Sequence, residues 1–196
     1  MREISPVTLE LNGVRLEPLQ PRHAAGLRAA ASDGELWKLR ITSVPEPENT
    51  EQYIATALEM RPSRLAFAVI DIASEKVIGC TSLHDIDPLI GRIEIGYTWY
   101  AKSVQRSHVN SSCKLMLLAH AFDKGYELVG FRTDIFNHAS QNAIERLGAK
   151  KDGVLRHHAL RRDGTVRDTV MYSIARGEWP QVKTHLEYRL ARGRSC

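Results

Sequence analysis

Residues 92–100 decide the fold; they read Arg-Ile-Glu-Ile-Gly-Tyr-Thr-Trp-Tyr. Side chains of different character alternate along this stretch, which predicts a strand with two unlike faces. One face would carry Ile93, Ile95, Tyr97 and Trp99, and the other would carry Glu94, Gly96 and Thr98. The segment is therefore predicted to be a strand that presents one polar face.

A turn rich in hydrogen-bond donors follows this strand and leads into an apolar helix, Val109 to Phe122. The donors are Lys102, Gln105, Arg106, Ser107, His108 and Asn110. The first N–H groups of a helix have no partner within the helix, and the positive end of its dipole lies at the same place. The sequence therefore predicts an anion-binding site at this turn.

A second strand, Leu128 to Phe136, runs into another polar segment, Asn137 to Asn142. That segment opens a short helix, which stops at Leu147-Gly148 with the glycine in a C-cap position. If the two strands are parallel, both polar junctions face one crevice at the carboxyl ends of the strands.

These motifs resemble the GNAT superfamily of acetyl-CoA-dependent N-acetyltransferases, most closely its RimJ/RimL branch, which acetylates the N-termini of ribosomal proteins. The family holds the coenzyme A pyrophosphate in a Gln/Arg-x-x-Gly-x-Gly/Ala turn. Here that turn reads Gln105-Arg106-Ser107-His108-Val109-Asn110, with His108 and Asn110 where small residues are usual. Asn137-x-x-Ser140 followed by Glu145-Arg146-Leu147-Gly148 resembles the second cofactor motif, and Glu94-Ile-Gly-Tyr-Thr-Trp resembles the central strand. The likeness continues more loosely from Val14 to about Trp179.

The resemblance implies an α/β (α+β) GNAT fold, in which a mixed, centrally splayed sheet of about six to seven strands is flanked by helices. Further strand patterns lie at 14–19, 65–72, 76–86, 154–160 and 166–174, and Asp163-Gly164 signals a hairpin between the last two. Further helical patterns lie at 22–31, 50–61 and about 180–190. With no repeat or linker in 196 residues, we expect one domain over 1–196, ending in a C-terminal helix.

Composition excludes several classes of protein. No apolar run is long enough to span a membrane, and the N-terminus lacks a signal-peptide core, so we expect a cytoplasmic protein. The cysteines Cys80, Cys113 and Cys196 show no metal or disulfide spacing, and we expect the first two to be buried thiols. The net charge of +4 is scattered, which disfavours nucleic acid and suits a polyanionic cofactor. A homodimer through the C-terminal helix is left open.

Acetyl transfer needs a held thioester, an uncharged amine and a stabilised leaving thiolate. We expect main-chain groups of Tyr97 to Trp99 to pair with the pantetheine arm of the cofactor. Ser140 is the candidate hydrogen-bond donor to the sulfur. The predicted cofactor-binding residues are Tyr97, Thr98, Trp99, Gln105, Arg106, Ser107, His108, Val109, Asn110, Asn137, Ser140, Asn142 and Arg146. Asn137 could equally be a plain N-cap.

Glu94 is the first candidate for the base that deprotonates the amine, acting through a water, and His84 is the second because imidazole titrates near neutral pH. Either residue could instead be structural. Ser82 and His84 would lie near Glu94 if their strands pair in the right register. Trp37 is either a wall of the acceptor pocket or a loop anchor. The predicted substrate-binding residues are thus Trp37, Ser82 and Glu94, and no metal site is predicted.

We interpret the chain as an N-acetyltransferase that uses acetyl-CoA and acts on a primary amine. The acceptor would be a protein or peptide N-terminal α-amine, which the RimJ/RimL resemblance favours, or a small-molecule amine. A different class remains open because His108 and Asn110 alter the phosphate turn. In that class, the protein is a catalytically silent acyl-CoA sensor or a ribosome-associated binding protein.

Overall fold

The computed structural model describes residues 2–192, which form one open sheet with helices on both faces. The strands are β1 (Leu9–Leu11), β2 (Val14–Pro18), β3 (Arg64–Asp71), β4 (Lys76–Asp87), β5 (Arg92–Tyr100), β6 (Leu128–Asp134), β7 (Lys150–Leu160) and β8 (Val166–Ala175). The helices are α1 (Ala24–Ser32), α2 (Thr50–Glu59), α3 (Val109–Asp123), α4 (His138–Glu145) and α5 (Trp179–Arg192). The strand order is β1-β2-β3-β4-β5-β6-β8-β7. The predicted mixed sheet with a C-terminal helix is confirmed.

The predicted count of six to seven strands is too low, because β1 adds an edge strand. It pairs antiparallel with β2 through Leu11 and Val14, which leaves a two-residue loop of Asn12 and Gly13. Both loop residues have positive φ, 56° and 78°, as a tight hairpin turn requires. Three residues are too few for alternation to be visible, so only the Asn-Gly pair could have revealed this strand.

The predicted faces of β5 are wrong beyond Gly96, because a β-bulge interrupts the alternation. Gly96 lies opposite Ser82 and Trp99 lies opposite Cys80, so that one residue of β4 faces both Tyr97 and Thr98. Tyr97 takes up the irregularity with a φ of 50°. Ile93 and Ile95 consequently pack in a core cluster with α3, whereas Trp99 packs in a second cluster with α1 and α2.

β5 and β6 form the parallel pair of the sheet, and their pairing is short. It joins Arg92 to Leu128, Ile93 to Val129 and Glu94 to Gly130, and ends there. Beyond these pairs the edge of β5 that faces β6 has no strand partner in the described part of the chain, and we call the opening the β5–β6 gap. The predicted central splay is therefore confirmed, and both polar junctions follow the carboxyl ends of these two strands.

Two apolar clusters hold helices against the two faces of the sheet. The first contains side chains of α3, α4 and α5, and the second contains side chains of α1 and α2. α3 is the most enclosed helix, since buried positions occur all round it, including a lysine, Lys114. A helix buried on every side fixes the positions of its polar side chains as well as its apolar ones.

Other predictions stand as follows. β7 and β8 form the expected hairpin, in which Leu160 pairs with Val166. Cys80 and Cys113 are buried as expected, and Cys196 lies outside the described residues. None of the helices between residues 2 and 192 combines the length and apolarity needed to cross a membrane.

Candidate active site

The register of β4 and β5 brings the two candidate bases together. His84 pairs with Glu94 and Ser82 pairs with Gly96, which confirms the register on which their proximity depended. Their side chains share the face of the sheet that carries Cys80 and Trp99 further along the strands. A Cβ at position 96 would lie 2.2 Å from Nε2 of His84, so only glycine allows the imidazole to lie over β5.

Glu94 is a buried carboxylate held by two arginines. Nε of Arg132 donates to Oε2 at 2.6 Å, and Nη2 of Arg92 donates to Oε1 at 3.3 Å. Burial raises the pKa of the Glu94 carboxyl, and the Arg92 guanidinium opposes that rise. Gly130 on β6 makes room, because a Cβ there would lie 2.9 Å from Cγ of Glu94. Glu94 is thus a positioned, desolvated carboxylate.

Arg132 also binds Asp85, a residue of β4 with a φ of 46°. Ligand atoms of His84, Asp85 and Glu94 lie within 4.8 Å of one another, which is close enough for a metal ion. The guanidinium of Arg132 already contacts both carboxylates, however. The chain itself therefore supplies the positive charge at this place.

His84 is a neutral imidazole at physiological pH. Burial lowers its pKa to about 3, and the charges of Arg132, Arg64 and Lys114 act in the same direction. Its ring meets the ring of Tyr97 edge to face, with centroids 5.0 Å apart. The expectation that His84 titrates near neutral pH is wrong, and as a base it is far weaker than an ordinary histidine.

Arg64 is a buried guanidinium on the same face of the sheet. It is 3% exposed, and its Nε donates to the Ser82 hydroxyl at 3.0 Å. Its Cζ lies 3.7 Å from the centroid of the Tyr97 ring. Its Nη2 has no hydrogen-bond partner among residues 2–192. We call Arg64, Ser82, His84, Glu94 and Arg132 the Glu94 cluster.

A second polar cluster lies on the opposite face, under α3. Nζ of Lys114 donates to the Thr98 hydroxyl at 2.9 Å, and that hydroxyl lies 2.8 Å from Oγ1 of Thr81. Burial lowers the pKa of the Lys114 ammonium to about 8. The same Nζ lies 5.8 Å from the centroid of the Phe131 ring on β6. We call Thr81, Thr98 and Lys114 the Lys114 cluster.

The predicted phosphate turn leads directly into the N-terminus of α3. Gln105 donates from Nε2 to the Tyr100 carbonyl at 3.0 Å, and Ser107 donates to the Val104 carbonyl at 2.6 Å. Arg106 has a φ of 63° and is exposed. Nε2 of His108 lies 3.0 Å from the main-chain oxygen of Asn12, which ties the turn to the β1–β2 hairpin.

The remaining residues of this turn make a helix start without a side-chain cap. Val109 is buried, so only its main chain is available, and its N–H already bonds to the Ser107 hydroxyl at 3.3 Å. Asn110 lies in the first turn of α3, where the N–H groups have no carbonyl partner within the helix. Free N–H groups of this kind suit an anion, and the predicted role of this turn in binding phosphate stays a prediction.

The second junction places the predicted cofactor residues along α4, from its N-cap, Asn137, to its C-cap, Arg146. Asn137 caps the helix, since its Oδ1 accepts from the N–H of Ser140 at 3.1 Å. No hydrogen bond of the Ser140 hydroxyl occurs within residues 2–192. Asn142 and Arg146 are exposed, and the Arg146 carbonyl accepts from Arg189 on α5 at 2.7 Å.

The segment between α1 and α2 is held by the tip of the β7–β8 hairpin. Arg162 donates to the carbonyls of Trp37 and Val44 at 2.8 and 2.7 Å. Arg40 in turn donates to Asp163 at 2.6 Å. Trp37 is half-buried against the second core cluster, as a loop anchor would be. Its contact with an acceptor stays a prediction.

Sequence reasoning missed Arg64, Arg132 and Lys114. Lys114 interrupts the apolar run of α3, and a single charged residue in such a helix is a usable signal of a buried functional group. Arg132 alternates with apolar neighbours on β6, which suggests a strand face turned to solvent. Arg64 follows Pro62-Ser63 and resembles an ordinary turn residue. Only the register of the strands reveals the role of these two arginines.

Comparison with known proteins agrees with this geometry. Residues 14–150 match the family described as "Acetyltransferase (GNAT) domain". The chain therefore belongs to the GNAT acetyltransferases, and it is an acyltransferase. It is 32% identical over 103 residues to a protein of Bacillus subtilis (strain 168) named "Putative ribosomal N-acetyltransferase YdaF". The match spans about half of each chain, 52% of this one and 55% of YdaF.

Solved structures show the same fold over nearly the whole chain. A GCN5-related N-acetyltransferase from Brucella melitensis is 31% identical, with a TM-score of 0.86 over 95% of this chain and 86% of its own. RimL, a ribosomal L7/L12 alpha-N-protein acetyltransferase solved in complex with coenzyme A, has a TM-score of 0.73 over 86% and 98% of the two chains. At 17% identity, RimL shows similarity of fold alone.

Proposed function

We propose that this protein is an N-acetyltransferase that takes the acetyl group from acetyl-CoA and transfers it directly to a primary amine, most favourably the N-terminal α-amine of a peptide or protein. The observation that carries the proposal is the β5–β6 gap, which α3 reaches through the hydrogen bond of Lys114 to Thr98. A pantetheine arm carries amide groups that can pair with the free edge of β5, as an added strand would. The first-turn N–H groups of α3 suit its pyrophosphate.

The Glu94 cluster supplies the chemistry for the acceptor amine. An amine must lose a proton as its nitrogen attacks the thioester carbonyl, and Glu94 is the carboxylate positioned to take it, through a water. Burial raises the pKa of Glu94 despite the opposing charge of Arg92, so Glu94 is a better base than an ordinary carboxylate and still a modest one beside an amine. A modest base suits a peptide α-amine, whose pKa is about 7.7 to 8.0, better than a lysine side chain at about 10.4.

The charge around the acceptor side also bears on the choice of amine. Arg132 pairs with both Asp85 and Glu94, and Arg92 also pairs with Glu94, so these two carboxylates are matched by two guanidinium groups. Arg64 adds a further cation on the same face. A polyamine or an aminoglycoside would need unpaired carboxylates instead. A peptide end carries a single positive charge, and the names of YdaF and RimL point to the same class of acceptor.

The non-catalytic alternative rested on His108 and Asn110 in the phosphate turn. His108 bonds to the main chain of Asn12 and so has a structural explanation that does not involve loss of the cofactor. Ser140 stays the candidate that the sequence offers for a hydroxyl donor to the coenzyme A sulfur. We expect the reaction to take place in the cytoplasm, where acetyl-CoA and nascent protein N-termini are both present.

Calorimetric titration with acetyl-CoA tests the donor, with desulfo-coenzyme A and adenosine bisphosphate as the comparison ligands. We expect micromolar binding of acetyl-CoA, or roughly −8 kcal/mol, and weaker binding of the nucleotide. Mass spectrometry then tests the acceptor with pairs of peptides that differ in a free or a blocked α-amine. Acetylation of only the free member supports the proposal. Acetylation of both members at lysine, or of small amines alone, contradicts the choice of acceptor.

A further inference from the structure

Lys114 is a buried ammonium without a carboxylate. Its residue is 6% exposed, and no ion pair joins it to an acid within residues 2–192. The Thr98 hydroxyl is its hydrogen-bond acceptor. A lysine is almost never buried without a pairing charge, because its ammonium loses hydration and gains little in return. Such a group is expected where a ligand supplies the missing negative charge.

The position of Nζ of Lys114 indicates where such a ligand would lie. Thr98 belongs to the part of β5 that has lost β6 as its partner, and Phe131 lies on β6 just beyond the last pair. The ammonium lies near both side chains, so it is at the β5–β6 gap. Thr81 binds the Thr98 hydroxyl from the far side and thereby fixes the acceptor that orients Nζ.

We infer that Lys114 is a catalytic acid of this enzyme, which donates a proton to the sulfur of coenzyme A as the thioester breaks. The inference rests on the proposed function, because it places the thioester in the gap. The arm of coenzyme A that would lie there is neutral, and its one developing anion during acetyl transfer is the thiolate. A cation in a water-poor gap is well suited to that charge.

The step balances as follows. The amine nitrogen forms a bond to the acetyl carbonyl carbon, and the carbon–sulfur bond breaks with its electron pair going to sulfur. One proton leaves the nitrogen for Glu94, and one proton leaves Nζ of Lys114 for the sulfur. The products are the acetylated amine and coenzyme A thiol. Lys114 then recovers a proton from water, and Glu94 releases one.

The acidity of Lys114 fits this role. Its lowered pKa of about 8 lies close to that of a free thiol, about 8.5, so the transfer is nearly balanced in free energy. The group is still mainly protonated at pH 7. The titratable groups that interact with it are the Cys113 thiol of its own helix and the His84 imidazole of β4, which is neutral at physiological pH. Ser140 also lies on a helix beside the gap, but a hydroxyl supplies no charge.

The test uses the product complex and needs no acceptor. The ultraviolet absorbance of the thiolate reports the pKa of the coenzyme A thiol when it is bound to the wild-type protein, to Lys114→Met and to Lys124→Met. Lys124 is an exposed lysine just after α3, so its variant is matched in charge and in chemistry. We expect the bound thiol to have a pKa lower by about one unit or more in the wild type and in Lys124→Met than in Lys114→Met.

Equal thiol pKa values in the wild type and in Lys114→Met would overturn the inference. If coenzyme A does not bind to the wild type at all by calorimetry, the proposed function fails instead, so the two failures are distinguishable. A second neutral variant, Lys114→Gln, covers the case in which methionine disturbs the packing. In turnover, we expect Lys114→Met to lower kcat about a hundredfold while the Kd of acetyl-CoA changes little. A hundredfold loss in Ser140→Ala with full turnover in Lys114→Met would assign the acid to Ser140.

Discussion

The two polar clusters on either side of β5 both contain buried cations, and these cations differ in their partners. Arg132 in the Glu94 cluster contacts two carboxylates, Glu94 and Asp85. Lys114 in the Lys114 cluster contacts a threonine hydroxyl and an aromatic ring. The charge of a cation with acidic partners is balanced inside the protein, and the cation positions those acids. The charge of a cation without such partners is available to a substrate.

Arg64 stands between these two cases. It is as buried as Lys114, and Ser82 and the Tyr97 ring take the place of a carboxylate. Its charge also lowers the pKa of His84. The Glu94 cluster therefore contains one arginine with carboxylate partners and one without, and burial together with both of these charges lowers the pKa of His84.

The largest expected effect comes from removing the carboxylate of Glu94 from the Glu94 cluster. In Glu94→Gln, we expect kcat to fall by about a hundredfold or more, since the base is lost while the shape is kept. Measurement of kcat against pH checks this, because the acid limb of the profile should disappear with the residue. Glu127→Gln is the control, since Glu127 pairs with Arg2 near the surface. A variant that keeps both its rate and its acid limb would remove Glu94 from the mechanism.

Removal of Lys114, the cation without a carboxylate partner, is expected to raise the stability of the protein rather than lower it. The folded protein holds Lys114 with a pKa of about 8, against 10.5 when unfolded. The unfolded chain binds more protons between these values, so this group lowers stability as pH falls from 10.5 to 8. We expect the free energy of unfolding of Lys114→Met, measured with urea, to exceed that of the wild type at neutral pH by up to about 3 kcal/mol. This difference should nearly vanish near pH 10. A less stable variant at neutral pH would mean that Lys114 has a partner after all.

The pKa of His84 depends on both clusters, because burial and the charges of Arg132, Arg64 and Lys114 all lower it. Its pKa is about 3 when folded and 6.5 when unfolded, so the stability it contributes is present above 6.5 and is lost as pH falls toward 3. At pH 5 this loss amounts to about 2 kcal/mol. Urea unfolding of the wild type and of His84→Gln at pH 7 and pH 5 isolates it. Equal losses in both proteins would show that the histidine is not held neutral.

The smallest effect is expected from an exposed cation. Arg106→Ala should weaken binding of acetyl-CoA about fivefold at low salt, and less at high salt, because an exposed contact with phosphate is worth about 1 kcal/mol. Calorimetry at two salt concentrations measures it. Arg156, exposed on β7, gives the matched variant Arg156→Ala, which should bind like the wild type. An equal loss in both variants would indicate a general effect of net charge.

Much of the fold could be predicted because the strands have local signatures. β5 runs from Arg92 to Tyr100 as its alternation predicts, and Asp163-Gly164 marks the turn of the β7–β8 hairpin. The bulge at Tyr97 could not be predicted. It arises from pairing with β4, and a sequence gives no sign that one residue of a partner strand will face two.

The site was predictable in outline and not in its charges. The proximity of Glu94 and His84 could be predicted because strand alternation places both on one face, and their roles in catalysis stay predictions. Lys114, Arg64 and Arg132 are as much part of the arrangement, yet their partners come from strands and helices far away in the chain. Burial is a property of the whole fold, and a charged residue gives little local sign of it.

The short seam between β5 and β6 divides the sheet into two halves. Within residues 2–192, strands β1 to β5 pair with strands β6, β8 and β7 only at Arg92, Ile93 and Glu94. We therefore expect the amide N–H groups of β5 to exchange hydrogen at two different rates. Its N–H groups that point to β4 are protected, and those that point to the gap beyond Glu94 exchange with solvent. The pairing of the pantetheine arm with this edge, as proposed, would complete the sheet, and the enzyme would then gain its last strand from its own substrate.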